Sequence, residues 1–339
     1  MPRIDPDSRF TLFSSSLRER WPAEGAPPNV DVVDRRIPVR ALNFAWNRLE
    51  SPAIETLCGR EFDIVHSPHA LLTPSRGARR IISIHDLFFF KRPAMTGAEV
   101  RRDYAPLVKD HAARADGIIC PSEHTARDIE SLLSVPRAKI RVTFYGVDPA
   151  FRTSPDPATV DATLTRLALP RGAILYLGSE ERRKNLVTLI AAHQRLKSRV
   201  AGAPDLILIG PGARQPENGV FSTGYLSRAD IRAVMASAVC LALVSLDEGF
   251  GFPVAEAMCA GLPVVCSRGS SLEEIAGGAA ELVADSLDAD SVARSLERVL
   301  LEDARRAEMR SLGLARSAIF DWNATARQTL SFYRETLGR

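Results

Sequence analysis

Short apolar runs rich in β-branched residues recur along the chain, separated by stretches whose apolar positions follow a helical period. In the first half the runs are "RFTLFSS", "NVDVVD", "FDIVHS", "RIISIHD", "GIICPS" and "IRVTFYG". In the second they are "AILYLG", "DLILIG", "VFSTG", "VCLALVS", "LPVVCS" and "AELVA". Most are apolar on both faces, the pattern of parallel strands covered on each side. Their alternation with helical stretches predicts βα units. Helices are expected over 185–199, 227–237 and 288–301, the second opened by Ser227 with Asp230 in a variant capping box. The Pro- and Asp-rich "VDPAFRTSPDPATVD" is the best linker candidate. The expected architecture is α/β: two Rossmann-like domains over 1–150 and 151–320 facing across a cleft. A C-terminal helix over 321–339 would return towards the first domain.

The stretch "LVSLDEGFGFPVAEAMCAGLPVVCSRGSS" sharpens this picture. An apolar strand ends at Asp247 and Glu248, and Gly249, Phe250, Gly251 and Phe252 make a glycine turn. Pro253 suits the first position of a helix and Gly261 the position after its end. Glu256 lies within that helix. The turn falls at the carboxyl end of a strand, where open α/β sheets bind ligands, and its amides favour an anion. Acids flanking such a turn fit a ligand with hydroxyls at both ends and a diphosphate between. Taken singly, each acid is better read as a solvated surface residue, and only the combination with the upstream stretch favours a ligand.

"YLGSEERRKNL" again puts a glycine at a strand end, followed by Arg182, Arg183, Lys184 and a helix start. Cations beside a helix N-terminus oppose its dipole, which makes sense if an anion sits between them. A solvated basic turn is the plainer alternative. In "ISIHDLFFF", His85 and Asp86 close a strand of the first half, a placement as compatible with structure as with function. The D-x-D pairs Asp5–Asp7 and Asp288–Asp290 lie at a terminus and at a helix start, so no metal site is expected.

Composition narrows the class further. The chain has 339 residues, 45% hydrophobic and 25% charged, with a formal charge of +3. That charge is too slight for a nucleic-acid binder, and no aromatic-interleaved basic stripe is present. The five cysteines are scattered in apolar segments, without metal or disulfide spacing, which suits a reducing cytoplasm. The longest charge-free apolar stretch, 233–246, is short for a membrane span and divides into a helix end and a strand.

"EGFGFPVAE" resembles the E-x7-E signature of the family 4 (group 1) retaining glycosyltransferases of the GT-B fold. "YLGSEERRKNL", "TGYLSRADIRAVMASA", "SIHDL", "DIVHSPH", "ADGIICPSEHTARDI", "IRVTFYGVDPAFR" and "FDWNATARQTLSFYRETL" are also similar to that family, in its order, over nearly the whole chain. The nearest likeness is to bacterial mannosyltransferase-like members that build surface polysaccharide. The resemblance implies a metal-independent hexosyltransferase without a cofactor. Its donor would be a nucleotide-diphosphate sugar, GDP-mannose ahead of UDP- or dTDP-sugars, and its acceptor a glycan or lipid-linked sugar. It implies that Glu256 holds the ribose and that Glu248 with the amides of Gly249–Gly251 holds the sugar. Lys184 and Arg183 would then neutralise the leaving diphosphate. His85 would touch the sugar, and Gly224 and Tyr225 would line the base. Ser179 stands where many members carry Arg, and Arg183 would supply that charge. The protein would be cytoplasmic, with peripheral membrane contact an option.

Two other activities fit less well. A dinucleotide-dependent oxidoreductase needs a third glycine that "GFGFPV" lacks. A glycoside hydrolase has no use for the cationic turn at 182–184. A GT-B subunit that binds sugar nucleotide or a partner without turnover stays open as the alternative. Family members usually begin with a strand, a glycine-rich turn and a helix, whereas this chain opens with "MPRIDPDSRFTLFSS". The resemblance therefore implies that the first strand–helix unit of the first domain is missing and that the chain as given is poorly active.

Overall fold

The computed structural model describes residues 1–15, 17, 25–210, 212 and 214–339. The chain divides into two compact units, Met1–Phe144 with Trp322–Arg339, and Tyr145–Asp321. Both are α/β with parallel sheets.

In the first unit, β1 (Phe10–Ser15) and β2 (Val30–Arg35) pair in parallel as a two-stranded sheet. A second, four-stranded sheet follows, of β3 (Ile64–Ser67), β4 (Arg79–Ser83), β5 (Gly117–Cys120) and β6 (Ile140–Val142), parallel and in chain order. Its core gathers Ile82, Ile84, Leu87, Val108, Ile118, Ile129 and Leu133. The helix Glu123–Leu133 starts at Ser122, whose hydroxyl accepts from the Thr125 amide at 3.1 Å. The C-terminal helix Trp322–Thr336 closes the other face. Phe332 packs there on Ile81 and Ile119, and Gly117 makes room for it, since a Cβ at 117 would lie 2.7 Å from its ring.

In the second unit the strands are β7 (Ile174–Leu177), β8 (Leu206–Ile209), β9 (Arg214–Glu217), β10 (Val220–Gly224), β11 (Cys240–Leu243), β12 (Val264–Ser267) and β13 (Glu281–Val283). They form one sheet in the order β13-β12-β11-β7-β8-β10-β9. Every pair is parallel except β9–β10. β9 has no apolar signature in "RQPE" and escapes the sequence reading. The chain leaves β7 for β8 on one side and returns as β11 on the other, so a topological switch point lies between β7 and β11. A sheet of this kind places its ligand crevice there, outside the carboxyl ends.

The expected helices run Leu186–Arg199, Arg228–Ser237 and Ala289–Leu301. Ser227 caps the second through the Asp230 amide at 3.1 Å, and Asp288 caps the third through the amides of Asp290 and Ser291. Stretch 147–161 is ordered within the second unit: a 3-10 turn spans Pro149–Arg152, and the helix Pro157–Leu167 starts at the cap Asp156. Among the described residues no helix is long and apolar enough to cross a membrane. All five cysteines are buried thiols.

Candidate functional site at the switch point of the second sheet

Two loops leave the carboxyl edge at the switch point, one after β7 and one after β11. The first begins at Gly178, whose amide bonds the Ile209 carbonyl at 3.0 Å. Gly210 lies beside it with φ +108°, and a Cβ there would fall 2.1 Å from the Gly178 oxygen. Only a glycine allows that approach. Tyr176, fully buried, donates its hydroxyl to the Ser179 carbonyl at 2.6 Å. Burial, with the nearby Glu248 charge, pushes that phenol well above its ordinary range.

The loop then makes a 3-10 turn over Arg182–Lys184 and enters the helix through Asn185 in the left-handed region, φ 56°. The Asn185 amide donates to the carbonyls of Val244 at 3.1 Å and Ser286 at 2.6 Å. Leu246 donates its N–H to the Arg183 carbonyl at 2.8 Å. These bonds lash the loop after β7 to the loop after β11.

The result is an ion triad around a buried carboxylate. Glu248, 5% exposed, accepts from Lys184 Nζ at 2.6 Å through Oε1 and from Arg183 Nη1 at 3.0 Å through Oε2. Ser245 Oγ adds a third bond to Oε1 at 2.8 Å. Arg183 is gripped on its other side by Glu181, whose Oε2 takes Nε at 2.8 Å. Ser179 Oγ donates to the other oxygen of Glu181 at 2.9 Å. Burial acts against the Glu181 anion, but the bonds from Arg183 and Ser179 outweigh it and hold its carboxyl below the usual range. A buried carboxylate persists only with such donors, because an unpaired charge in this setting is strongly destabilising. The arrangement therefore holds two cations against Glu248 at the carboxyl edge of the sheet.

After Glu248 comes the turn over 249–252. Gly251 sits at φ +93°, and a Cβ there would meet Leu272 at 2.2 Å. It caps the helix Phe252–Cys259, so Pro253 takes the second helical position and not the first. Its missing N–H is still one that the helix leaves unpaired. Phe250 is buried among Tyr145, Phe252 and Phe320, with ring centroids 5.1–5.8 Å from its own. Its side chain is packing, and only its backbone is left to offer a ligand. Phe252 is 38% exposed and stacks on Tyr145.

Glu256, one turn into the helix, is half-buried, and its carboxylate carries no hydrogen bond or ion pair among the described residues. Burial pushes its carboxyl up to about 7, Arg228 pulling it down and Asp148 adding to the rise. Those two residues pair with each other at 2.7 Å. Gly224 ends β10 with φ +72°, and Tyr225 beyond it is 87% exposed. His85 belongs to the first unit, just past β4. Its Nε2 faces the Pro68 carbonyl at 2.8 Å, which fixes the proton on that nitrogen, since a carbonyl only accepts.

Of the residues singled out from sequence, the structure joins Arg183, Lys184 and Glu248 directly and Ser179 through Glu181. The sequence reading passed over Glu181, Ser245 and Asn185. The acid next to the base run in "SEERRK" was the one available signal for Glu181.

Comparison with known proteins agrees in both halves. The family model described as Glycosyl transferases group 1 matches residues 166–314, and Glycosyltransferase Family 4 matches residues 8–151. O-antigen chain mannosyltransferase B of Escherichia coli is 30% identical over 286 residues, covering 80% of this chain and 74% of its own. MMP alpha-(1->4)-mannosyltransferase of Mycolicibacterium hassiacum is 27% identical over 369 residues, covering 99% and 88%. Among solved structures, sucrose-phosphate synthase from Thermosynechococcus elongatus superposes with a TM-score of 0.74 at 19% identity, covering 97% of this chain and 89% of that one. With both halves matched in order and the fold shared, the chain belongs to the group 1 glycosyltransferases and has the GT-B fold.

Proposed function

We propose that this glycosyltransferase moves a hexose, mannose in the first instance, from a nucleotide-diphosphate sugar to a glycan or lipid-linked acceptor in surface polysaccharide synthesis, with retention at the anomeric carbon. The observation that carries the reading is the meeting of Lys184 and Arg183 with Glu248 at the switch point. Two cations there suit a diphosphate, and the carboxylate and turn amides suit sugar hydroxyls. Glu256, half-buried without a donor of its own, suits the ribose hydroxyls. The exposed Tyr225 suits a base. The names of the two mannosyltransferase relatives support mannose, and therefore GDP-mannose, as the first donor to try.

Catalysis on this reading is electrostatic. Charge builds on the diphosphate as the glycosidic bond breaks, and cations already in place stabilise it without reorganising. Orientation of the acceptor supplies the rest. The reaction would run in the cytoplasm. Contact with an anionic membrane face would use the helix Val39–Leu49, on which Phe44, 63% exposed, stands between Arg40 and Arg48. A transfer assay with GDP-mannose, reading the anomeric configuration of the product by NMR, tests the proposal. An inverted product, or transfer from a different class of donor, would contradict it.

A further inference from the structure

Lys184 and Arg183 do not meet an incoming anion unpaired, because Glu248 already bonds both. We propose that Glu248 competes with diphosphate for these two cations, and that this competition makes the site favour a sugar nucleotide over a bare nucleoside diphosphate. The inference rests on the reading of the two loops as a sugar-nucleotide site.

The geometry carries it. Both oxygens of Glu248 are committed, Oε1 to Lys184 and Ser245 and Oε2 to Arg183. Arg183 spans two carboxylates, and its bond to Glu181 through Nε keeps the guanidinium in place whichever anion Nη1 faces. A diphosphate drawn to these cations arrives beside a carboxylate that is 5% exposed. Like charges at that range, away from bulk water, repel strongly. A sugar nucleotide carries its own relief, because its sugar hydroxyls can donate to Glu248 in place of the lysine and arginine. The cations are then released to the phosphates. A nucleoside diphosphate has no sugar at that end and pyrophosphate none at all, so neither brings these hydroxyls. Once the sugar has been transferred, Glu248 reclaims the cations and the product diphosphate is weakened in its site. The same carboxylate thus selects the donor and hastens product release.

Calorimetric titration of inorganic pyrophosphate into the whole chain tests this without assuming the base. Glu248→Gln, which keeps shape and removes charge, is expected to bind pyrophosphate roughly tenfold more tightly than the unaltered chain, the scale of one charge-assisted hydrogen bond. Glu248→Asp, which keeps the charge but shortens its reach, should shift affinity the same way by less, and serves if the Gln variant does not fold. Unchanged or weaker pyrophosphate binding by a folded Glu248 variant overturns the competition. Adding both Lys184→Ala and Arg183→Ala to Glu248→Gln should abolish the gain. A gain that survives this second change would show that the anion binds elsewhere, which contradicts the site reading itself.

Discussion

Burial holds the Glu256 carboxyl at a pKa of about 7, against 4.5 for an ordinary glutamate. The folded chain therefore binds this proton more tightly than the unfolded one. That contribution to stability is fully present below about pH 4.5 and is lost as pH rises through about 7. For ribose hydroxyls, which donate, the carboxylate is the better partner. Donor affinity should then fall roughly tenfold between pH 8 and pH 6, and Glu256→Gln should flatten the profile. Calorimetry across that range checks both. Glu256→Ala should weaken the donor roughly ten- to a hundredfold through lost charge-assisted bonds worth about 1.5–3 kcal/mol. Lys184→Ala acts differently, since its charge matters most as the diphosphate leaves. The turnover number should drop more than affinity for the bare nucleoside, as single-turnover and binding measurements would show. Activity kept within a few-fold would move the phosphate role to Arg183.

The two loops depend on elements whose positions only glycine or one polar side chain permits. Gly251→Ala would force a Cβ onto Leu272 at 2.2 Å in a backbone region that L residues avoid. A loss of about 1–3 kcal/mol in a denaturant titration is expected, together with a weaker donor. The strands around these loops were legible because parallel strands buried on both faces read as unbroken apolar runs, as in "CLAL" and "VVCS". β9 was not legible, since the polar "RQPE" is held by antiparallel pairing with β10. The cation turn and the E-x7-E helix could each be read locally. Their union could not, because Lys184 and Glu248 stand 64 residues apart and meet only once β7 and β11 are neighbours. Ser245, Asn185 and Glu181 act through that meeting. Pro253 is a smaller case: it marked the helix start one residue late, because Gly251 and not Phe252 makes the cap.

Across the whole molecule, both units repeat the parallel βα plan, and the cation pair, the amide turn and Glu256 all belong to the second. The first holds His85 and the helix Val39–Leu49, which carries Arg40, Arg48 and the exposed Phe44. Vesicles with anionic lipid should retain the chain in a flotation assay, and Phe44→Ser with Arg40→Glu should release it. Retention of that variant would place the contact on another surface. The proposed hold of Lys184 and its neighbours on the diphosphate of a sugar nucleotide can be probed by titrating GDP-, UDP- and dTDP-sugars into the chain and into Lys184→Ala. One class is expected to bind, GDP-mannose first, and Lys184→Ala to weaken it roughly ten- to a hundredfold while leaving the matching nucleoside unchanged. Equal binding of the sugar nucleotide by the folded variant, or no binding of any class by the unaltered chain, would contradict it.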